Sequence, residues 1–335
     1  TLVLVVHHIA ADGVSMGPLL RDLVTAYGAR TSGSAPQWTP LPLHYADYTL
    51  WQRQVLGDDT EPGTEAARQL AFWQRELSGL PAQLDLPSDR PRPASASYRG
   101  ATVEFLIDGE LRAAVDTLAA ELRATPFMVL QATLSVLLAR LSGTTDIAIG
   151  TPVAGRGERA LDDLVGMFVN TLVLRTTVRG ELGFAELVRQ IRIRDLDAFA
   201  HADIPFERLV EVLNPARSQA RHPLFQVGLF MQNIGVGAPE LPGLHTETVA
   251  FDPGFAKFDL QLTISDRADA VGYRAEFTYA TDLYGESAVE EFAAKYLRLL
   301  GGAIAAPEDP VGDLELLDAG ELDYVTSSWN ASGHR

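Results

Sequence analysis

Thr1-Leu-Val-Leu-Val-Val-His7-His8-Ile-Ala-Ala-Asp12-Gly13 decides how the rest of the chain is read. Its first six residues are apolar and mostly β-branched, the pattern of a strand buried on both faces. Two histidines follow the run, and Asp12-Gly13 marks a turn. A helix is predicted next, with Ser15 as its N-cap and Pro18 tolerated in the first turn. Leu19, Leu20, Leu23, Val24 and Tyr27 give it one apolar stripe, and Gly28 suits its end. The histidines thus fall between a core strand and a helix N-terminus, a rigid frame suited to a catalytic side chain.

Neighbouring residues of a strand point to opposite faces, so His7 and His8 are poorly placed to chelate one ion. The chain has no Cys, and no His-x-x-x-His spacing occurs, so no metal site is expected. On the residues alone two readings stay open. Both histidines are satisfied polar groups and Asp12 caps the turn, or one imidazole faces a cavity as a base. An imidazole is largely neutral near pH 7 and able to take a proton. In that second reading Asp12 turns back and orients the loop.

Composition narrows the function. The 335 residues suffice for two core-forming lobes, and 47% hydrophobic with 21% charged residues is ordinary for a globular protein. Against 27 basic residues stand 44 acidic ones, a formal charge of −17, which argues against nucleic acid and anionic membranes as partners. Without Cys there is no disulfide, thiol nucleophile or thiolate metal site. No apolar run reaches the roughly 20 residues a bilayer span needs, and a cytoplasmic location is the expectation. Because the chain opens inside a strand with no lead-in, it is expected to be a fragment whose missing N-terminal part supplies neighbours to that strand.

Further along, His44-Tyr-Ala-Asp-Tyr48-Thr-Leu-Trp51-Gln52 starts a helix with aromatics at mixed spacing, and 65–80 reads as another with Phe72-Trp73 inward. Pro81, Pro87, Pro91 and Pro93 mark an extended connector over 84–97, where the lobe boundary is placed. The C-terminal half then alternates. A strand is read at 102–107, helices at 110–123 and 125–141, and a short core strand at 147–150. That strand leads into Thr151-Pro-Val-Ala-Gly155-Arg156, and Leu164 to Arg175 reads as a Gly-containing turn into a strand. The helix over 184–200 carries Arg189, Arg192 and Arg194, a basic face that is either solvated or meets an acidic partner. His201 is read as holding a loop rather than doing chemistry. Strands at 257–265 and 272–279 pair as a hairpin around 266–270, and a last amphipathic helix covers 287–300.

These stretches resemble the condensation domains of nonribosomal peptide synthetases. His7-His8-Ile-Ala-Ala-Asp12-Gly13 resembles their HHxxxDG motif, and Tyr45 to Gln52 their YxDYxxWQ motif. Ile149 to Arg156 resembles IGxPxAxR, 166–175 GxFVNTLxLR, 201–210 HxxVPFExLV, and 221–227 RxPLFQV. At 218–220, Ser-Gln-Ala replaces the acidic residue and further basic residue that the family often writes upstream of the last motif. The resemblance implies an α/β (α+β) fold of two chloramphenicol-acetyltransferase-like lobes in a V-shaped pseudo-dimer, the N-lobe only partly present here. It divides the chain into 1–90, the end of the N-lobe; 91–312, the C-lobe; and 313–335, a linker toward an adenylation domain.

The function implied is amide-bond formation between a donor aminoacyl or peptidyl thioester and an acceptor aminoacyl thioester. Both would ride on phosphopantetheine arms of upstream and downstream carrier domains, and the domain itself would bind no cofactor. His8 is the expected catalytic residue, His7 its support, Asp12 the organiser, and the Gly13 backbone N–H a candidate oxyanion donor. Arg156 is expected to form a structural ion pair with Asp12. The motif wording resembles the subtype that joins an L-configured donor to an L-aminoacyl acceptor. Two alternatives stand beside this reading. An epimerization domain shares HHxxxDG but follows it with a tryptophan-containing segment, where this chain has Val14 to Leu19. A silent partner-docking domain loses the second histidine, and His8 is present.

Overall fold

The computed structural model describes residues 3–232, 240–247, 249, 252–266 and 271–329. Three helices come first: α1 (Met16–Thr31), α2 (Tyr45–Leu56) and α3 (Glu65–Glu76). The C-terminal part builds one mixed sheet with helices on it. Its elements are β1 (Gly100–Asp108), α4 (Gly109–Glu121), α5 (Pro126–Ser142), β2 (Asp146–Val153), β3 (Asn170–Thr177), α6 (Phe184–Phe199), α7 (Phe206–Leu213), β4 (Val227–Gln232), β5 (Leu260–Asp266), β6 (Gly272–Ala280), α8 (Glu286–Ala305) and the short α9 (Ala319–Asp323).

The six strands run in the order β1-β6-β5-β4-β2-β3. β2, β4 and β5 are mutually parallel, and the other neighbours are antiparallel. Strand alternation explains which face is covered. Leu260, Leu262 and Ile264 of β5 and Tyr273, Ala275, Phe277 and Tyr279 of β6 join the main core under α4, α5, α6 and α8. A second core holds α3 and α7 against β3 through Trp73, Leu209, Leu172 and Phe225.

α5 shows how sequence sets an element. Thr125 Oγ1 accepts from the Met128 N–H at 3.3 Å, Pro126 occupies the first turn, and Gly143 ends the helix at φ +70°. Every residue from Met128 to Leu138 is buried, so its apolar surface is spent on the core. No single described helix is long and apolar enough to cross a membrane.

The connector is fastened to the sheet half from its start. The Leu84 N–H donates to Gln226 Oε1 at 2.8 Å, Arg90 Nη1 reaches the carbonyls of Thr281 and Tyr284, and Arg92 forms a two-pronged pair with Asp259. At the other end, Arg140 donates to the carbonyls of Val311, Gly312 and Leu314, and Lys295 Nζ lies 2.7 Å from Glu321 Oε1.

The opening run differs from its sequence reading. Val3 to Val6 are exposed and form no strand. A β-branched run becomes a strand only when a neighbouring edge satisfies its backbone, and among the described residues no edge lies beside it. Thr1 and Leu2, the hairpin turn at 267–270 and the Asn330–Gly333 part of the linker reading lie outside the described residues.

Candidate active site

The site is built where the turn after His8 meets the loop between β2 and β3. Asp12 and Arg156, 144 positions apart, are joined by Arg156 Nη2 to Asp12 Oδ1 at 3.1 Å, with side chains only 3% and 4% exposed. Asp12 Oδ2 accepts from the Phe168 N–H at 3.0 Å, and Oδ1 from the Ser15 N–H at 2.9 Å. Burial pushes the Asp12 carboxyl up, but the hydrogen bonds from Ser15, Phe168 and Arg156 outweigh it and hold the group below the usual carboxylate range.

Arg156 is a hub for the loop. Nη1 donates to the carbonyls of Leu161 and Leu164, Nη2 also reaches Ser15 Oγ at 2.9 Å, and the guanidinium carbon stands 4.0 Å over the Phe168 ring. Gly155 permits the approach: its φ is +63°, and a Cβ there would sit 2.0 Å from the Phe168 carbonyl oxygen. Tyr45 and Tyr48 of α2 close the node from outside. Tyr45 Oη donates to the Met167 carbonyl at 2.6 Å, and both rings pack on Phe168. Tyr45 and Tyr48 of this aromatic stretch are therefore packing, wrapped around the node.

Ser15 is not the helix cap that its position suggested. Its side chain makes no cap bond, and its own backbone is already helical at φ −59°. The reason is competition for the hydroxyl. Fully buried, Ser15 Oγ lies 2.7 Å from Asp12 Oδ1 and 2.9 Å from the Gly166 carbonyl, and it accepts from Gly166 N–H and Arg156 Nη2. Sequence reasoning missed this role. The available signal was the three-residue spacing of Asp12 and Ser15, which lets each bond the other's backbone.

Both histidines are exposed. His7 Nδ1 accepts from the Ile9 N–H at 3.1 Å. His8 Nδ1 lies 3.0 Å from the Ala11 carbonyl oxygen. A carbonyl only accepts, so His8 Nδ1 carries a hydrogen, and in the neutral ring Nε2 holds the free lone pair. The Ala11–Asp12 peptide that receives this bond is itself held, because the Asp12 N–H donates to the Gly166 carbonyl at 3.1 Å. Gly13 is exposed, with open space beside its Cα, and among the described residues its N–H makes no hydrogen bond.

Other singled-out residues hold the scaffold. The His201 ring stacks on Phe72 at 4.0 Å, with Nδ1 beside the Asp197 carbonyl. Asn170 spans to the segment before α7, donating to the carbonyls of Ala202 and Ile204 and accepting from the Phe206 N–H. The three arginines of α6 have partners in the chain: Arg189 beside Glu186, Arg192 on the Arg123 carbonyl, Arg194 near Glu76 and the Arg175 carbonyl. Among the described residues no cluster of three His, Cys, Asp or Glu could hold a metal.

The candidate site thus joins a histidine pair on a turn to a buried Asp–Arg node beside one mixed sheet. The chain belongs to the condensation-domain family, whose model matches residues 1–324. It is 50% identical over 325 residues to a probable non-canonical nonribosomal peptide synthetase, CymA, of Salinispora arenicola, covering 97% of this chain and 4% of that protein. It is 46% identical over 334 residues to the dimodular nonribosomal peptide synthase of Bacillus subtilis, covering 98% of this chain and 14% of that one. The chain thus spans a small part of the curated relatives it matches. Among solved structures it is similar to the X-domain from teicoplanin biosynthesis, with a TM-score of 0.87 and 33% identity over 93% of this chain and 71% of that one. It shares its fold with a four-domain nonribosomal peptide synthetase bound to AMP and glycine, with a TM-score of 0.83 and 24% identity over 94% of this chain and 24% of that one.

Proposed function

We propose that this condensation domain forms an amide bond between two carrier-bound substrates, with His8 at the reacting atoms. The acceptor amine attacks the donor thioester carbonyl, the carbon–sulfur bond breaks, and the donor chain moves onto the acceptor nitrogen. The phosphopantetheine thiolate of the donor carrier leaves, and the amine gives up a proton. His8 Nε2 takes that proton or holds the amine in line; positioning alone can be worth about 7–11 kcal/mol. The Gly13 N–H, at the entry to α1, is the proposed donor to the tetrahedral oxyanion. His7 supports the turn, Asp12 orders it, and the Asp12–Arg156 pair is structural.

What carries the reading is the His8 bond to the Ala11 carbonyl, which assigns the free lone pair to Nε2. The same reading keeps the domain division at 1–90, 91–312 and 313–335. It is supported by the fastened connector and by the arm that α8 and Arg140 hold at 311–321. The partners are an upstream donor carrier, a downstream acceptor carrier and a covalently joined adenylation domain. The L-to-L subtype and a cytoplasmic location belong to the reading as well. The domain needs no cofactor of its own.

The test uses the domain in its parent protein, with donor and acceptor carriers each loaded with a model aminoacyl group. Intact-protein mass spectrometry is expected to show the acceptor carrier gaining the donor mass, with a sharp loss in His8→Ala. No gain with any substrate pair, while carriers still bind, would replace the reading with a silent docking module.

A further inference from the structure

We propose that Ser15 is a positioning residue that fixes the orientation and tautomer of the His8 imidazole. The inference rests on His8 acting as stated above. It follows from a chain of contacts. The Ala11–Asp12 peptide is a rigid plane with the carbonyl at one end and the N–H at the other. Its carbonyl receives His8 Nδ1 at 3.0 Å. Its N–H is shared between the Gly166 carbonyl at 3.1 Å and Ser15 Oγ at 3.3 Å. Rotating this peptide therefore breaks a contact to His8 and a contact to Ser15 and Gly166 together.

Ser15 is what keeps Gly166 in register with that peptide. Its Oγ accepts from the Gly166 N–H at 3.1 Å and lies 2.9 Å from the Gly166 carbonyl oxygen, which also receives Asp12. Ser15 Oγ also lies 2.7 Å from Asp12 Oδ1 and accepts from Arg156 Nη2 at 2.9 Å. One hydroxyl thus ties the His8 turn, the loop after β2 and the first turn of α1. It is fully buried, so water cannot replace it when it is removed. The Asp12–Arg156 pair would survive that removal, because Asp12 keeps its bonds to Arg156, the Phe168 N–H and the Ser15 backbone N–H. What is lost is the fine position of the peptide under His8, a matter of tenths of an ångström to which reaction geometry is sensitive.

The experiment compares wild type, Ser15→Ala, Ser15→Thr and His8→Ala as full chains. Histidine-selective ¹⁵N NMR reads the His8 ring directly, with His7 as an internal control. Wild type is expected to show the Nδ1–H tautomer at His8. Ser15→Ala is expected to move it toward the averaged position of a freely tautomerising imidazole, and Ser15→Thr to restore it. Single-turnover condensation should fall about tenfold or more in Ser15→Ala, with the amine KM little changed, and recover in Ser15→Thr. An unchanged His8 signal in folded Ser15→Ala overturns the proposal. If the alanine variant does not fold, Ser15→Cys, of nearly the same volume but a weaker hydrogen-bonder, gives the same reading of the ring. Condensation that survives His8→Ala removes the assigned role of His8 while leaving the NMR result to decide whether Ser15 orients the ring.

Discussion

Asp195 is the most consequential ionisable group outside the site. It sits on α6 at 2% exposure, and among the described residues its one side-chain partner is Gln131 Nε2 of α5, 3.2 Å from Oδ1. Asp195 Oδ2, Gln131 Oε1 and Ser135 Oγ find no partner among the described residues. Burial raises the Asp195 carboxyl to about 7, only partly offset by the Gln131 bond, and no cation lies within ion-pair distance among the described residues. The folded value is above the unfolded one, so the folded state holds a proton that the unfolded chain releases. Stability from this group is therefore complete below about 3.8, falls as pH rises, and levels off above about 7. Three pH units at about 1.4 kcal/mol each set an upper bound of about 4 kcal/mol at neutral pH. Relaxation of the site would halve it to about 2 kcal/mol. Asp195→Asn keeps the acceptor for Gln131 and adds an uncharged N–H₂ to a cluster rich in unmatched oxygens. The variant is expected to be close to wild type at pH 4.5 and more stable by about 2–4 kcal/mol at pH 8, measured by urea denaturation across that range. A difference between the two proteins that is flat with pH would refute the reasoning, since no charge would then be forming at this position on folding.

Arg156→Ala is expected to cost about 3–5 kcal/mol, because it leaves the buried Asp12 carboxylate without its cation; a thermal shift of roughly 10 °C downward checks it. A fully stable Arg156→Ala protein would contradict the structural role of the pair. His8→Ala removes an exposed ring, so its melting temperature should stay within about a degree of wild type while condensation is lost. Asp12 gives the opposite pH trend to Asp195. Its folded value is lowered, so its contribution is present above about 3.8 and is lost as pH falls below that. The stability gap between wild type and Asp12→Asn should therefore narrow in acid, which denaturation at pH 5 and pH 3 would show.

Much of the sheet half was legible because its signals are local. The cap and proline at Thr125-Pro126, the apolar run of α5 and the alternation in β5 and β6 each follow from neighbours within a few residues. The hairpin register places Leu262 opposite Phe277, as two inward residues of paired strands must be. Val3 to Val6 form no strand here because a strand needs a partner edge, and that edge is not a local property of the run. Val3 to Val6 carry the right residues, yet backbone groups without a neighbouring edge gain nothing from an extended ladder. Ser15 was misread for a related reason. Cap propensity is a competition for one hydroxyl, and here the winners, Gly166 and Arg156, lie more than 140 positions away.

The node also explains why motifs so far apart in the chain occur together. Asp12 supplies a charge, Arg156 neutralises it, and Phe168 donates a backbone N–H to it and lies under the guanidinium. Tyr45 and Tyr48 then exclude water from the aromatic side. Each part is costly without the others: a buried carboxylate needs its cation, and the cation needs its carbonyls. His8 stands outside this interdependence, exposed and tied to it by a single bond to Ala11. Stability and chemistry should consequently separate on mutation. Changes inside the node, at Asp12 or Arg156, act first on folding. On the proposed role, changes at His8 are expected to act on the reaction alone. Ser15, buried in the node yet linked to the ring through one peptide, is the position where the two effects meet.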